Sequence, residues 1–170
     1  MNRFKGVVYR AHHPNWNFGP MSGDGAVHHG GRFSPVGLPA LYASLRPETA
    51  WLEAQQGFPF KARSLVMCAY DVDCEGVLDL TTEAGQEAAG TSLKELACPW
   101  EDRREQGSAT WRLSAGLRAK GCAAILVRSF APGAEQFDVN IVFWRWSGDA
   151  PSNIRLSEKS LRQFRKIKIE

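Results

Sequence analysis

This chain has little of what would announce a membrane, a secretory route or a metal. Its longest aliphatic run, Cys122 to Val127, is far too short to cross a bilayer. No basic stretch leads into an apolar run at the amino terminus, so no signal peptide is expected and a cytoplasmic protein is. The four cysteines, Cys68, Cys74, Cys98 and Cys122, show no CxxC pairing, which argues against a zinc knuckle or a redox motif. Cys68 and Cys122 lie in apolar, strand-like runs and read as buried reduced thiols. The four histidines are two adjacent pairs, His12-His13 and His28-His29. Neighbours on an extended chain point opposite ways, so each pair offers a metal one ligand, and no metal site is expected. There is no GxSxG elbow to support a hydrolase built on Ser129 and a histidine. Internal repeats, low-complexity segments and an evident linker are also missing.

What remains is ordinary in bulk. A length of 170 residues with 44% hydrophobic and 23% charged residues fits one globular domain spanning 1–170. Net charge is +3, unevenly placed. The segment 155–170 holds six basic and two acidic residues, which leaves 15 basic and 16 acidic elsewhere. Such a basic tail fits either nucleic acid or a solvated helix face. Ser157 is a candidate N-cap there, with Leu161 and Phe164 as an apolar stripe. A nucleic-acid-binding module using this tail, with Trp144 and Trp146 as aromatic partners, is the alternative function; no reader motif supports it, and the two tryptophans alternate like core residues of a strand.

The pattern predicts strands at Phe4 to Arg10, Ala40 to Ser44, Leu65 to Val72, Ala123 to Val127 and Val139 to Trp146. Glu75 to Leu80 reads as a turn into a further strand. Pro14 to Gly31 reads as a long loop, of the kind that is more often functional than idle. Helices are expected from Pro47 to about Gln56, with proline in the first turn, at Glu83 to Ala89, and at Thr110 to Lys120, ended by Gly121. Without a regular βαβ rhythm, this mixture predicts an α+β fold with a largely antiparallel or mixed sheet.

The chemistry concentrates between Gly30 and Glu53. Gly30-Gly31 permits positive φ and a close backbone approach to a ligand. Arg32 presents a planar fork of donors suited to phosphate or pyrophosphate. Tyr42 can stack on a flat ring, and Glu53 is placed to meet positive charge in a transition state. Each has a plainer reading: a turn, a solvated arginine, an exposed helix carboxylate.

Taken together, Val8-Tyr9-Arg10, Ser22 to Ala26, Gly30 to Phe33, Gly37 to Ser44 and Ala50-Trp51-Leu52-Glu53 resemble the RES domain family. Its late serine is matched by Ser129 in Val127-Arg128-Ser129-Phe130, followed by a family-like Asn140 to Phe143. The resemblance runs from about Val8 to Trp146. Phe33-Ser34 replaces a common tryptophan and asparagine, and no proline precedes Ser129. The resemblance implies an ADP-ribosyltransferase-like fold of two packed sheets around an NAD cleft. It implies Arg32, Tyr42, Glu53 and Ser129 as catalytic residues, and Tyr9, Arg10, Gly31, Arg32, Tyr42 and Asn140 as binding residues for NAD+. It further implies a toxin that cleaves the nicotinamide–ribose bond and passes ADP-ribose to water, phosphate or a target protein. The implied partner is an Xre-type antitoxin covering the active site.

Overall fold

The chain is described by a computed structural model over residues 1–14, 19–55, 65–99 and 107–160. The elements follow in the order β1 (Asn2–His12), α1 (Asp24–His29), β2 (Leu41–Ser44), α2 (Pro47–Gln55), β3 (Val66–Asp79), α3 (Glu83–Ala89), α4 (Leu93–Leu96), α5 (Ala109–Ala119), β4 (Ala124–Arg128), β5 (Val139–Phe143) and β6 (Ser152–Leu156).

All six strands belong to one sheet, ordered β1-β2-β5-β4-β3-β6, and β1 also pairs with β3. The sheet therefore curls back on itself like a barrel, where two separate packed sheets were expected. Its seams are narrow. β1 meets β2 at the single pair Tyr9↔Ser44, and β3 meets β4 in parallel over Val77–Asp79. Every other pairing is antiparallel, so the α+β class holds and the sheet is mixed.

Alternation along β3 explains why it is the longest strand. Cys68, Tyr70, Val72 and Cys74 turn inward at every second position. The turn expected at Glu75-Gly76 is a β-bulge within this one strand. Glu75 and Gly76 face the single residue Arg3 between the Phe4↔Cys74 and Asn2↔Val77 pairs, and Gly76 takes a φ of 75°. Inside the closed sheet Val8, Leu41, Tyr70, Ile141, Phe143 and Ile154 form one core. Outside it Phe33, Leu80, Leu96, Leu117, Ile125, Val127 and Trp144 form a second. A fully buried Leu, Ile or Phe in either contributes about 1.5–3 kcal/mol.

Other expectations shift by a residue or two, and some fail. The loop from Pro14 contains α1; α4 and β6 were not expected at all. The strand from Val139 stops at Phe143, and its two tryptophans part company: Trp144 joins the outer core, Trp146 packs on the inner one. Ser157 Oγ accepts from the Ser160 N–H at 3.4 Å as a cap would, while Leu161, Phe164 and the rest of the basic segment lie outside the described residues. So does Gln56, the expected end of α2. Among the described residues no helix is long and apolar enough to cross a membrane.

Candidate active site

A cavity of about 630 Å³ opens beside the β1–β2 seam, within the usual range for a small-molecule site. Tyr9, Arg10, Gly31, Arg32, Tyr42, Glu53 and Asn140 all line it. These residues run from position 9 to position 140 of the sequence, and the fold brings them to one place.

Glu53 is the most firmly fixed of them. It sits on α2, whose first residue, Pro47, has φ pre-set for a helix. Glu53 Oε1 accepts from Ser129 Oγ at 2.6 Å and from Asn140 Nδ2 at 2.5 Å. Asn140 Oδ1 in turn accepts from the buried Ser44 hydroxyl at 2.7 Å, which fixes the amide with its NH2 toward Glu53. The cross-strand register makes this possible: Ser44 on β2, Asn140 on β5 and Val127 on β4 lie directly opposite one another. No donor reaches Glu53 Oε2 among the described residues.

One helical turn earlier, Thr49 lies on the same face of α2 and its buried hydroxyl donates to Asp138. Asp138 also accepts from the Glu135 N–H at 2.9 Å, and its own carbonyl accepts from the Ser129 N–H at 2.7 Å. The Glu135 amide, the Thr49 hydroxyl and the Arg46 guanidinium hold the Asp138 carboxyl below the usual carboxylate range. Helix and loop are thus tied at two points, Glu53 to Ser129 and Thr49 to Asp138.

The glycine loop is held differently. Gly30 takes the expected positive φ of 68° at the end of α1. Gly31 does not share it. Its need for glycine is space, because a Cβ there would stand 2.6 Å from Tyr42 Oη. That hydroxyl accepts from the Phe33 N–H at 3.0 Å and pairs with Ser34 Oγ at 2.9 Å. Burial pushes the Tyr42 phenol up to about 12, so it stays neutral. Tyr42 braces the loop with its hydroxyl and is also a lining residue of the cavity. Three side chains claim successive loop carbonyls: Trp111 Nε1 donates to Gly31 at 2.8 Å, Thr110 Oγ1 to Arg32, and Trp144 Nε1 to Phe33 at 3.0 Å. Trp144 is therefore a buried strut and is not presented to a nucleic acid.

Both expected arginines are engaged within the protein. Arg32 Nη1 donates to Leu96 O at 3.2 Å and Cys98 O at 2.6 Å, and its guanidinium lies 4.7 Å over the Phe130 ring. Arg10 Nη1 donates to Pro20 O at 3.3 Å and Ser22 O at 2.9 Å. Their charge remains at the cavity wall, but part of each donor set is spent. Among the described residues no group of three His, Cys, Asp or Glu side chains is gathered for a metal.

Sequence reasoning missed Ser44, Ser34, Thr49, Asp138 and the lining residue Arg128. Thr49 alone carried a signal, its i, i+4 spacing from Glu53. The others join the site through strand register and loop closure, which no local pattern encodes.

No curated protein matches the chain. Among solved structures it is similar to a chain of the crystal structure of the M. tuberculosis MbcT–MbcA toxin–antitoxin complex. The TM-score is 0.61 at 18% identity, with 99% of this chain and 92% of that chain covered. The RES domain family model matches residues 7–163, and the chain belongs to the RES domain family.

Proposed function

We propose that this protein is the toxin of a bacterial toxin–antitoxin pair and acts by cleaving the nicotinamide–ribose bond of NAD+. Membership of the RES family and the fold shared with a toxin–antitoxin structure support the general reading. The observation that carries the chemistry is Glu53, pinned through Oε1 by Ser129 and Asn140 at the wall of a cavity that arginines also line.

Nicotinamide leaves as a neutral amine, taking the electron pair of the C1′–N bond, so cleavage needs little acid catalysis. It needs a held pyrophosphate, a held ring and stabilisation of an oxocarbenium-like ribose. Arg32 is assigned to the phosphates and the Tyr42 ring to the nicotinamide. Glu53 Oε2 faces the developing cation or a ribose hydroxyl. A carboxylate roughly 4 Å from unit positive charge gains about 4 kcal/mol at an effective dielectric near 20. Even half of that is between one and two orders of magnitude in rate. Two fixed donors on Oε1 mean that this charge needs no reorganisation as the bond breaks.

An acceptor lone pair then closes on C1′ and the acceptor proton departs, with Glu53 the nearest base. Water, phosphate and a protein side chain all satisfy that balance, giving a glycohydrolase, a phosphorylase or an ADP-ribosyltransferase. An Xre-type antitoxin is the proposed partner in the cytoplasm. A carboxylate or chain terminus inserted at Arg32 would compete with pyrophosphate through charge-assisted hydrogen bonds.

The purified protein, incubated with NAD+, is expected to release free nicotinamide, with mass spectrometry of the second product naming the acceptor. Failure to release nicotinamide under any acceptor condition would sink the proposal. Growth arrest on expression, relieved by the co-expressed antitoxin, tests the biological half. A complex that binds NAD+ as tightly as the free toxin would exclude occlusion of the cavity.

A further inference from the structure

Strand alternation divides the cavity wall. Tyr9, Ser44, Asn140 and Val127 stand opposite one another across β1, β2, β5 and β4, on the face that holds Glu53. Arg10, Ala43 and Arg128 leave their strands on the other face, and all three also line the cavity. Arg128 differs from the other arginines here. Arg10 and Arg32 are tied to backbone carbonyls, and Arg46 to Glu48 and Asp138. Arg128 is half-buried, yet among the described residues its side chain has no hydrogen bond, ion pair or ring contact. Arg118 also lacks one, but it is exposed on α5.

A guanidinium partly withdrawn from water loses hydration, and among the described residues no acceptor replaces it. Its planar set of five donors matches a pair of phosphate oxygens. Among the described residues the ionised groups of the cavity wall are three arginines, Arg10, Arg32 and Arg128, and one carboxylate, Glu53. That surplus suits a ligand segment carrying two negative charges, which a pyrophosphate does. Arg128 is also one peptide from Ser129, whose hydroxyl holds Glu53.

We propose that Arg128 is a phosphate-binding residue of the cavity, left without an internal partner so that the ligand supplies one. This rests on the reading of Glu53 and Ser129 as the NAD-cleaving centre. The phosphate is either the pyrophosphate of the dinucleotide or a free phosphate beside the ribose.

The test is calorimetric binding of ADP, inorganic phosphate and nicotinamide to the full chain and to its Arg128→Gln and Arg128→Lys variants. Steady-state nicotinamide release is measured alongside. Arg128→Gln is expected to weaken ADP about tenfold or more, and Arg128→Lys less, because charge survives without the bidentate geometry. Nicotinamide, which is uncharged, should bind all three alike, and that also reports a folded cavity. KM for NAD+ should rise more than kcat falls. If inorganic phosphate is weakened and ADP is not, the phosphate recognised is a free one and the residue's role stands. ADP and phosphate affinities both within about twofold of wild type in Arg128→Gln would overturn the proposal. A wild-type protein that binds ADP through Arg128 yet releases no nicotinamide would instead defeat the NAD-cleavage reading alone.

Discussion

The acidic and basic sides of the cavity are built on opposite plans. Glu53 is fixed by side chains from three elements, with Ser129 and Asn140 on one oxygen and Ser44 behind them. Arg10 and Arg32 are moored to carbonyls of loops and helix ends, Pro20, Ser22, Leu96 and Cys98. A carbonyl is a neutral acceptor that a phosphate oxygen can replace at a gain, since charge-assisted hydrogen bonds are about twice as strong. A group that meets transition-state charge must be in place before the bond breaks. A group that grips a ligand can change partners on binding. On the proposed reading, rigidity is concentrated where charge develops and exchangeable contacts where charge is held.

The largest effect should follow from loss of the fixed charge. Glu53→Gln keeps an oxygen for Ser129 and Asn140, so the fold should survive with a small change in thermal midpoint. Nicotinamide release should fall by roughly 10²–10³, the scale of losing one preorganised electrostatic group. A fully active Glu53→Gln would return Glu53 to the status of a helix carboxylate and end the distinction between the two sides.

Next comes Arg32→Lys, which keeps the charge and loses the shape. One ammonium cannot reach the Leu96 and Cys98 carbonyls, cover Phe130 and grip a phosphate at once. Activity should drop about tenfold to a hundredfold, with KM rising. Unchanged kinetics would show that Arg32 is only a mooring for the α4 end.

Ser44→Ala probes the hidden part of the acidic side. It frees the Asn140 amide to turn its oxygen toward Glu53, at a cost of about 1–3 kcal/mol for the mispaired buried group. A fall in kcat of about tenfold is expected, with little further loss when Ser44→Ala is added to Asn140→Ala. Fully additive losses would mean that Ser44 acts through packing.

The smallest effect is on stability. Thr49→Val keeps its shape and removes the bond to Asp138, at about 1–2 kcal/mol near neutral pH. The folded Asp138 carboxyl titrates below its unfolded value. Its contribution is therefore complete above the ordinary carboxylate range and fades as pH falls through the lower folded value. Urea midpoints of wild type and variant should converge in acid. An equal gap at about pH 7 and about pH 3 would show that the Asp138 charge plays no part in that tie.

Legibility followed the range of the interaction concerned. Helices α2, α3 and α5 and the strands of the sheet other than β6 were readable because period, proline and glycine act within a few residues. The segment at Glu75-Gly76 was taken for a turn. The positive φ of Gly76 serves a bulge when a partner strand such as β1 runs past it, and that is a tertiary fact. Gly31 was expected to use a positive φ and does not; glycine is needed there because the crowding atom belongs to Tyr42. Trp144 and Trp146 were read as alternating on one strand, and the end of β5 at Phe143 sends them to different cores.

The sequence by itself determined the inventory: an arginine after two glycines, a tyrosine, a helical carboxylate, a late serine and an asparagine. These can be read because each residue type has a fixed chemistry and a short motif has a fixed spacing. Only the tertiary structure decided which groups are committed and which are open. Closing the sheet sets Asn140 opposite Ser44 and within reach of Glu53, and it leaves Arg128 at the wall with no acceptor among the described residues. Whether a donor is spent or available depends on atoms distant in the chain, and only folding brings those atoms to it.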